Sequence, residues 1–165
     1  MSDPEILATL EASTPRRWFA VGVLSMLGVM LIVLGFNTAQ AGLLYQAFLL
    51  LLGVLALMEA RRLWRATEHA LELTRDALRI RGGDIIAKIE DIEAVDRGVF
   101  AFKPSNGFLL RTKEKGSRVW YPGMFWRFGR RIGVGGATAA SQAKFMSEII
   151  SAILAERQQG TDIKR

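Results

Sequence analysis

The side chains best suited to recognition chemistry lie in one run, Trp120-Tyr121-Pro122-Gly123-Met124-Phe125-Trp126-Arg127-Phe128-Gly129-Arg130-Arg131. Indole and phenol rings favour a boundary between polar and apolar surroundings, and clustered guanidiniums attract phosphates and carboxylates. Phe125, Trp126, Arg127, Arg130 and Arg131 are therefore the candidate contact residues for a partner or a lipid. Strand alternation cannot bury Phe125, Trp126 and Phe128 on one face, so part of the run must look outwards. The plainer alternative, an aromatic core with a solvated arginine rim, stays open. A second basic group, Arg61, Arg62 and Arg65, suits phosphate in the same way.

Bond-making chemistry has little to work with. The chain has no cysteine, which excludes disulfides and thiolate metal sites, and its one histidine, His69, excludes a multi-histidine site. The glycine-punctuated stretch 129–136 lacks the Gly-Lys-Ser/Thr ending of a phosphate-binding loop and reads as turn chemistry. No enzyme activity and no cofactor or metal is expected.

Two apolar spans position these residues. Residues 18–58 contain no charged side chain, and arginines bracket them: Arg16 and Arg17 before, Arg61, Arg62 and Arg65 after. At about 1.5 Å per residue a single helix of this length would overrun the roughly 30 Å hydrocarbon layer. The polar break Asn37-Thr38-Ala39-Gln40 divides it into 18–36 and 41–58, a transmembrane hairpin. A cleaved signal peptide fits poorly, since Ala41-Gly42 leads straight into a second apolar span. Both flanks are basic and the connecting loop is uncharged, so both termini are expected in the cytoplasm of a bacterial inner membrane. Stripes rich in small residues recur at alternating four and three: Ser25, Gly28, Ile32 and Gly35 in the first span, Gly42, Gln46, Leu49, Gly53, Ala56 and Ala60 in and just beyond the second. Such stripes let helix backbones approach closely, and the Gln46 amide could bond across them. With no Asp, Glu, Lys, Arg or His in either span, transport of ions or protons is not expected.

Residues 1–17 read as a cytoplasmic tail with a net charge of −1, and 59–165 as a basic region of +7. After a helical linker, 59–70, the apolar period changes from helical to two. Strands are expected at 71–74, 77–81, 85–95 with a kink at Glu90-Asp91, 99–103, 108–113 and 117–121, with an edge strand at 130–134. Pro104-Ser105-Asn106-Gly107 reads as a hairpin turn and Glu114–Gly116 as another. A helix capped by Thr138 or Ser141 should run to about Arg157, with Phe145, Met146, Ile149, Ile150, Ile153 and Leu154 on one face. Residues 158–165 read as a tail.

This order of elements, with the segment Asp84-Ile85-Ile86-Ala87-Lys88-Ile89-Glu90-Asp91-Ile92 as strand-turn-strand, resembles bacterial pleckstrin-homology-like (PH-like) domain membrane proteins over 71–157. The runs 100–108 and 126–131 are similar to small membrane proteins of purple-bacterial type. The resemblance implies an α+β membrane protein: a transmembrane hairpin followed by a PH-like antiparallel β-barrel or sandwich, capped by a C-terminal helix. It also implies a non-enzymatic accessory or assembly subunit of a larger, for example bioenergetic, membrane complex. The alternative is a membrane-anchored sensor of anionic phospholipid. Membrane lipids are expected partners in either case. Nucleic acid is not, because the basic residues are scattered along strand-like segments of a tethered domain.

Overall fold

Two long apolar helices interrupt an antiparallel sheet between its first and second strands. A computed structural model of the chain describes residues 5–37, 42–96 and 104–162. Strand β1 (Ile6–Leu10) is followed by helices α1 (Thr14–Asn37) and α2 (Leu43–Ala66). Then come β2 (Leu71–Thr74), β3 (Ala77–Ile80), β4 (Ile85–Lys88), a 3-10 turn (Ile89–Asp91) and β5 (Ile92–Asp96). Strands β6 (Phe108–Tyr121) and β7 (Phe125–Val134) precede helix α3 (Ala140–Asp162).

Helix α1 carries Pro15 in its first turn, where a missing N–H leaves no helical bond unmade. Helix α2 is capped by the buried Thr67, whose hydroxyl donates to the Leu63 carbonyl of the last turn at 2.7 Å. Both helices are long and apolar enough to cross a membrane. They pack on each other, while Met26, Met30, Leu44 and Leu55 stay exposed on their outer faces.

Among the described residues, seven strands form two antiparallel sheets, ordered β1-β2-β3-β4 and β5-β6-β7. The sheets are not joined into a closed barrel. They share one core with α3: Leu10, Leu73 and Leu78 from the first sheet, Leu110 and Ile132 from the second, Met146 and Ile150 from the helix. Burying each such side chain stabilises by about 1.5–3 kcal/mol, so the core needs both sheets and the helix together. The 3-10 turn at Glu90-Asp91 is where the chain leaves one sheet for the other. The kink expected within a single 85–95 strand is thus a crossover.

Five expectations are corrected. The segment read as an N-terminal tail contains β1, which pairs with β2 from Ile6↔Thr74 to Leu10↔Leu71. Its five residues, with four apolar, are too few to show a period, and burial of Leu10 comes from partners far along the chain. The expected turn at Glu114–Gly116 lies inside β6, where β-bulges absorb the polar residues, and β7 begins at Phe125 rather than at Arg130. Neither Thr138 nor Ser141 caps α3: the Glu11 backbone carbonyl receives the Ala139 N–H at 3.1 Å, and the Thr138 hydroxyl is buried without a partner among the described residues. Helix α3 also runs past Arg157 to Asp162. The strand expected at 99–103 and most of the loop 37–40 lie outside the described residues.

The helices and the sheets meet in a collar. Ser13 N–H donates to the Ala137 carbonyl at 2.7 Å, and the Arg16 guanidinium to that of Thr138 at 3.0 Å. Arg17 donates to the Trp64 carbonyl at 3.2 Å and lies 3.8 Å over the Trp64 ring, which Trp18 meets edge-on at 4.9 Å. Gly123, with φ +76°, brings the β6–β7 turn against α2, where a Cβ would meet Leu63 at 2.7 Å and Thr67 at 3.3 Å. Only glycine combines that backbone angle with that approach.

Candidate partner-contact site

Strands β6 and β7 form a hairpin that curls back on itself. The register shifts between Arg111 and Gly116 and again between Gly116 and Val119, and each bulge adds twist. The curl is fastened where Gly135 N–H donates to the Met124 carbonyl and Ala137 N–H to that of Gly123, both at 2.8 Å. It folds the Trp126 indole over Gly133, so closely that a methyl on Gly133 would collide with the ring.

The five contact residues expected in this hairpin divide by depth. Phe125 is a core residue, 3% exposed and stacked on Tyr121 at 4.8 Å, which corrects its assignment to a surface. Trp126 is half-buried. Arg127 crosses from β7 to β4, donating to the Ile86 carbonyl at 2.9 Å, with its Nε buried and unpartnered among the described residues. Arg130 donates to the Thr112 carbonyl at 2.8 Å and pairs with Glu93 at 2.9 Å, tying β7 to β6 and β5. These two arginines join strands to one another. Arg131 alone is exposed and free of such ties, and it stands directly across from Arg111.

Sequence reasoning missed the residues that complete the outer face. Trp120 pairs with Trp126 across the strands and is 60% exposed. Its ring lies 6.4 Å from Phe128, which in turn lies 5.4 Å from Trp126 and carries the Arg118 guanidinium 4.6 Å above it. Pairing the two strands about Pro122-Gly123 would have found them, because Trp120, Trp126 and Phe128 then fall on one face. The outer face is thus aromatic at its centre and cationic around it.

The other basic group sits on the last turns of α2. Arg61 and Arg65 are exposed with no acidic partner among the described residues, and Arg62 pairs with Glu59 at 2.7 Å. The hairpin reaches α2 through Gly123 against Leu63 and Thr67, and the His69 ring stands 6.4 Å from Tyr121.

The small residues of the two long helices are placed unequally. Gly28, Gly35 and Gly53 are buried in the seam, with Ile32, Leu50 and Leu57 packed against them. Ser25, Gln46 and Ala56 are half-buried, and the Gln46 amide has no hydrogen-bond partner among the described residues. Gly42 is off the seam: it caps the start of α2 at φ +99°, with nothing within 4 Å of where its Cβ would be.

Acidic groups matter at one further place. Glu72, buried on β2, is gripped by Arg79 at 2.9 Å and by Arg81 at 2.9 Å. Burial alone would raise its pKa, but the hydrogen bonds from Arg81 and Arg79 outweigh it and hold the carboxyl below its ordinary value. Arg81 also reaches Glu11 at 3.1 Å, so this network ties β2 and β3 to the segment after β1. Among the described residues no cluster of three His, Asp or Glu side chains could hold a metal ion. No family model, curated protein or solved structure is significantly similar to the chain.

Proposed function

We propose that the chain is a non-enzymatic accessory or assembly subunit of a larger complex in a bacterial inner membrane. In this reading α1 and α2 are a transmembrane hairpin, and the two sheets with α3 form a PH-like interaction domain in the cytoplasm. One observation carries the topology: β1 precedes the helices, β2 follows them, and the two strands are hydrogen-bonded neighbours. Paired strands must lie on one side of a bilayer, so the intervening helices cross an even number of times. The basic flanks favour the cytoplasmic side. The collar then holds the domain against the membrane in a fixed orientation. A rigid mount suits a subunit that presents one face to a neighbour better than it suits a freely swinging tether.

Purification of the full chain from its native membrane in mild detergent tests this. A stoichiometric integral-membrane partner supports it. A chain that elutes alone from every mild detergent contradicts it.

A second reading, a sensor of anionic phospholipid, rests on Arg61 and Arg65, exposed at the end of α2 with no acidic partner among the described residues. A chain purified alone that binds anionic but not neutral vesicles would favour this reading.

A further inference from the structure

The net positive charge of 59–165 lies almost wholly in one hairpin. Between positions 108 and 134 there are seven Lys and Arg and a single acid, Glu114. The rest of 59–165 holds thirteen basic residues against twelve acids. Folding does not use this excess. Arg127 and Arg130 are committed to other strands, but Arg111, Lys113, Lys115 and Arg131 are exposed with no ion pair among the described residues. Arg111 stands directly opposite Arg131 on neighbouring strands, an arrangement that repels and that a fold gains nothing by keeping. The Trp126 ring lies over Gly133, two residues from Arg131, and Phe128 and Trp120 continue from that ring, with Arg118 stacked on Phe128.

Unpaired guanidiniums around exposed rings are suited to a partner that brings carboxylates and apolar side chains together. We propose that the outer face of the β6–β7 hairpin docks an extended acidic segment of a protein partner. The proposal rests on the subunit reading above and names the chemistry of that partner's contact. Protein fits the face better than a lipid surface does. A headgroup layer is only about 5–7 Å deep on each side of the hydrocarbon. At about 3.3 Å per residue, the three steps from Tyr121 to Arg118 already span that depth, and the charge continues through Lys115 and Lys113 to the other limb. An extended chain can follow both limbs.

The experiment places the photo-cross-linker p-benzoylphenylalanine at Lys115 of the full chain in its native membrane. The expected result is an adduct with one protein, through a peptide in which Asp and Glu outnumber Lys and Arg. The same peptide, synthesised, should bind the purified chain more weakly as salt rises. Arg111→Glu with Arg131→Glu should abolish the adduct and weaken peptide binding at least about tenfold, while the chain keeps its protease resistance. An adduct on phospholipid, an adduct on a peptide without acidic excess, one that survives charge reversal, or no adduct overturns the proposal. Unfolding of the charge-reversed chain also overturns it, because the pair would then be structural. If a partner co-purifies but cross-links elsewhere, this inference fails and the subunit reading stands. If none co-purifies, both fall.

Discussion

Gly28 and Gly53 face each other across the two long helices: a methyl on Gly28 would stand 3.0 Å from the Gly53 carbonyl oxygen, and one on Gly53 2.9 Å from that of Gly28. Backbone meets backbone, so neither helix can yield without moving as a whole. Gly53→Ala, which also meets Ile32 at 2.6 Å, should destabilise the helix pair by about 1–3 kcal/mol. Gly22→Ala, with nothing within 4 Å, should not. Reversible unfolding of both variants in detergent measures the difference, and equal stability would show that the seam tolerates separation.

The seam was legible in the sequence because small residues at helical spacing have few other uses in an uncharged span. Gly42 shares that spacing but serves as a cap, which spacing cannot reveal. In the sheets, turn residues such as Arg75-Asp76 and Gly82-Gly83 mark β2, β3 and β4 well. Strand β1 is not legible in the sequence because the strand it pairs with, β2, lies beyond both helices. Depth within the aromatic run is not legible in the sequence. Adjacent strand positions alternate sides, and only the pairing with β6 decides that Phe125 goes inwards and Phe128 outwards.

Helix α3 covers the core with Met146 and Ile150, both 0% exposed, while Ile149 is only partly buried beside them. Ile150→Asp would place an unpaired carboxylate in that core and should cost more than about 4 kcal/mol. Ile149→Asp should cost clearly less. Limited proteolysis of the full chain should digest the sheets of the first variant and spare more of the second. Equal resistance would mean that α3 does not close the core.

The Glu72 network should make the fold acid-sensitive. Its carboxyl titrates below the ordinary 4.5 in the folded chain, so its contribution is complete above about that pH and is lost as pH falls through the lowered value. Glu72→Gln keeps the shape but not the charge, and should cost about 1.5–3 kcal/mol at pH 7. The variant should also flatten the stability profile as pH falls below the ordinary 4.5. Parallel wild-type and variant profiles would remove Glu72 from the account.

Arg130 and Trp120 should separate stability from recognition. Arg130→Ala breaks the ties to Thr112 and Glu93 and should lower stability by about 1–2 kcal/mol. Trp120→Ala removes an exposed ring and should change stability by less than about 0.5 kcal/mol, while weakening any partner that binds the outer face. Denaturant titration of the two variants, beside co-purification, distinguishes the roles. A Trp120→Ala chain that loses stability as Arg130→Ala does would make the outer face part of the fold.

A transmembrane hairpin requires a bilayer between the ends of the helices and their connection, with β1 and β2 together on one side. The chain has no cysteine, so single cysteines can be read without background. Ala39→Cys in the connection and Ser117→Cys on β6 are treated with a membrane-impermeant maleimide in intact spheroplasts. Position 39 should label at once and position 117 only after the membrane is opened. Labelling of both positions, or of neither, before opening would contradict the hairpin.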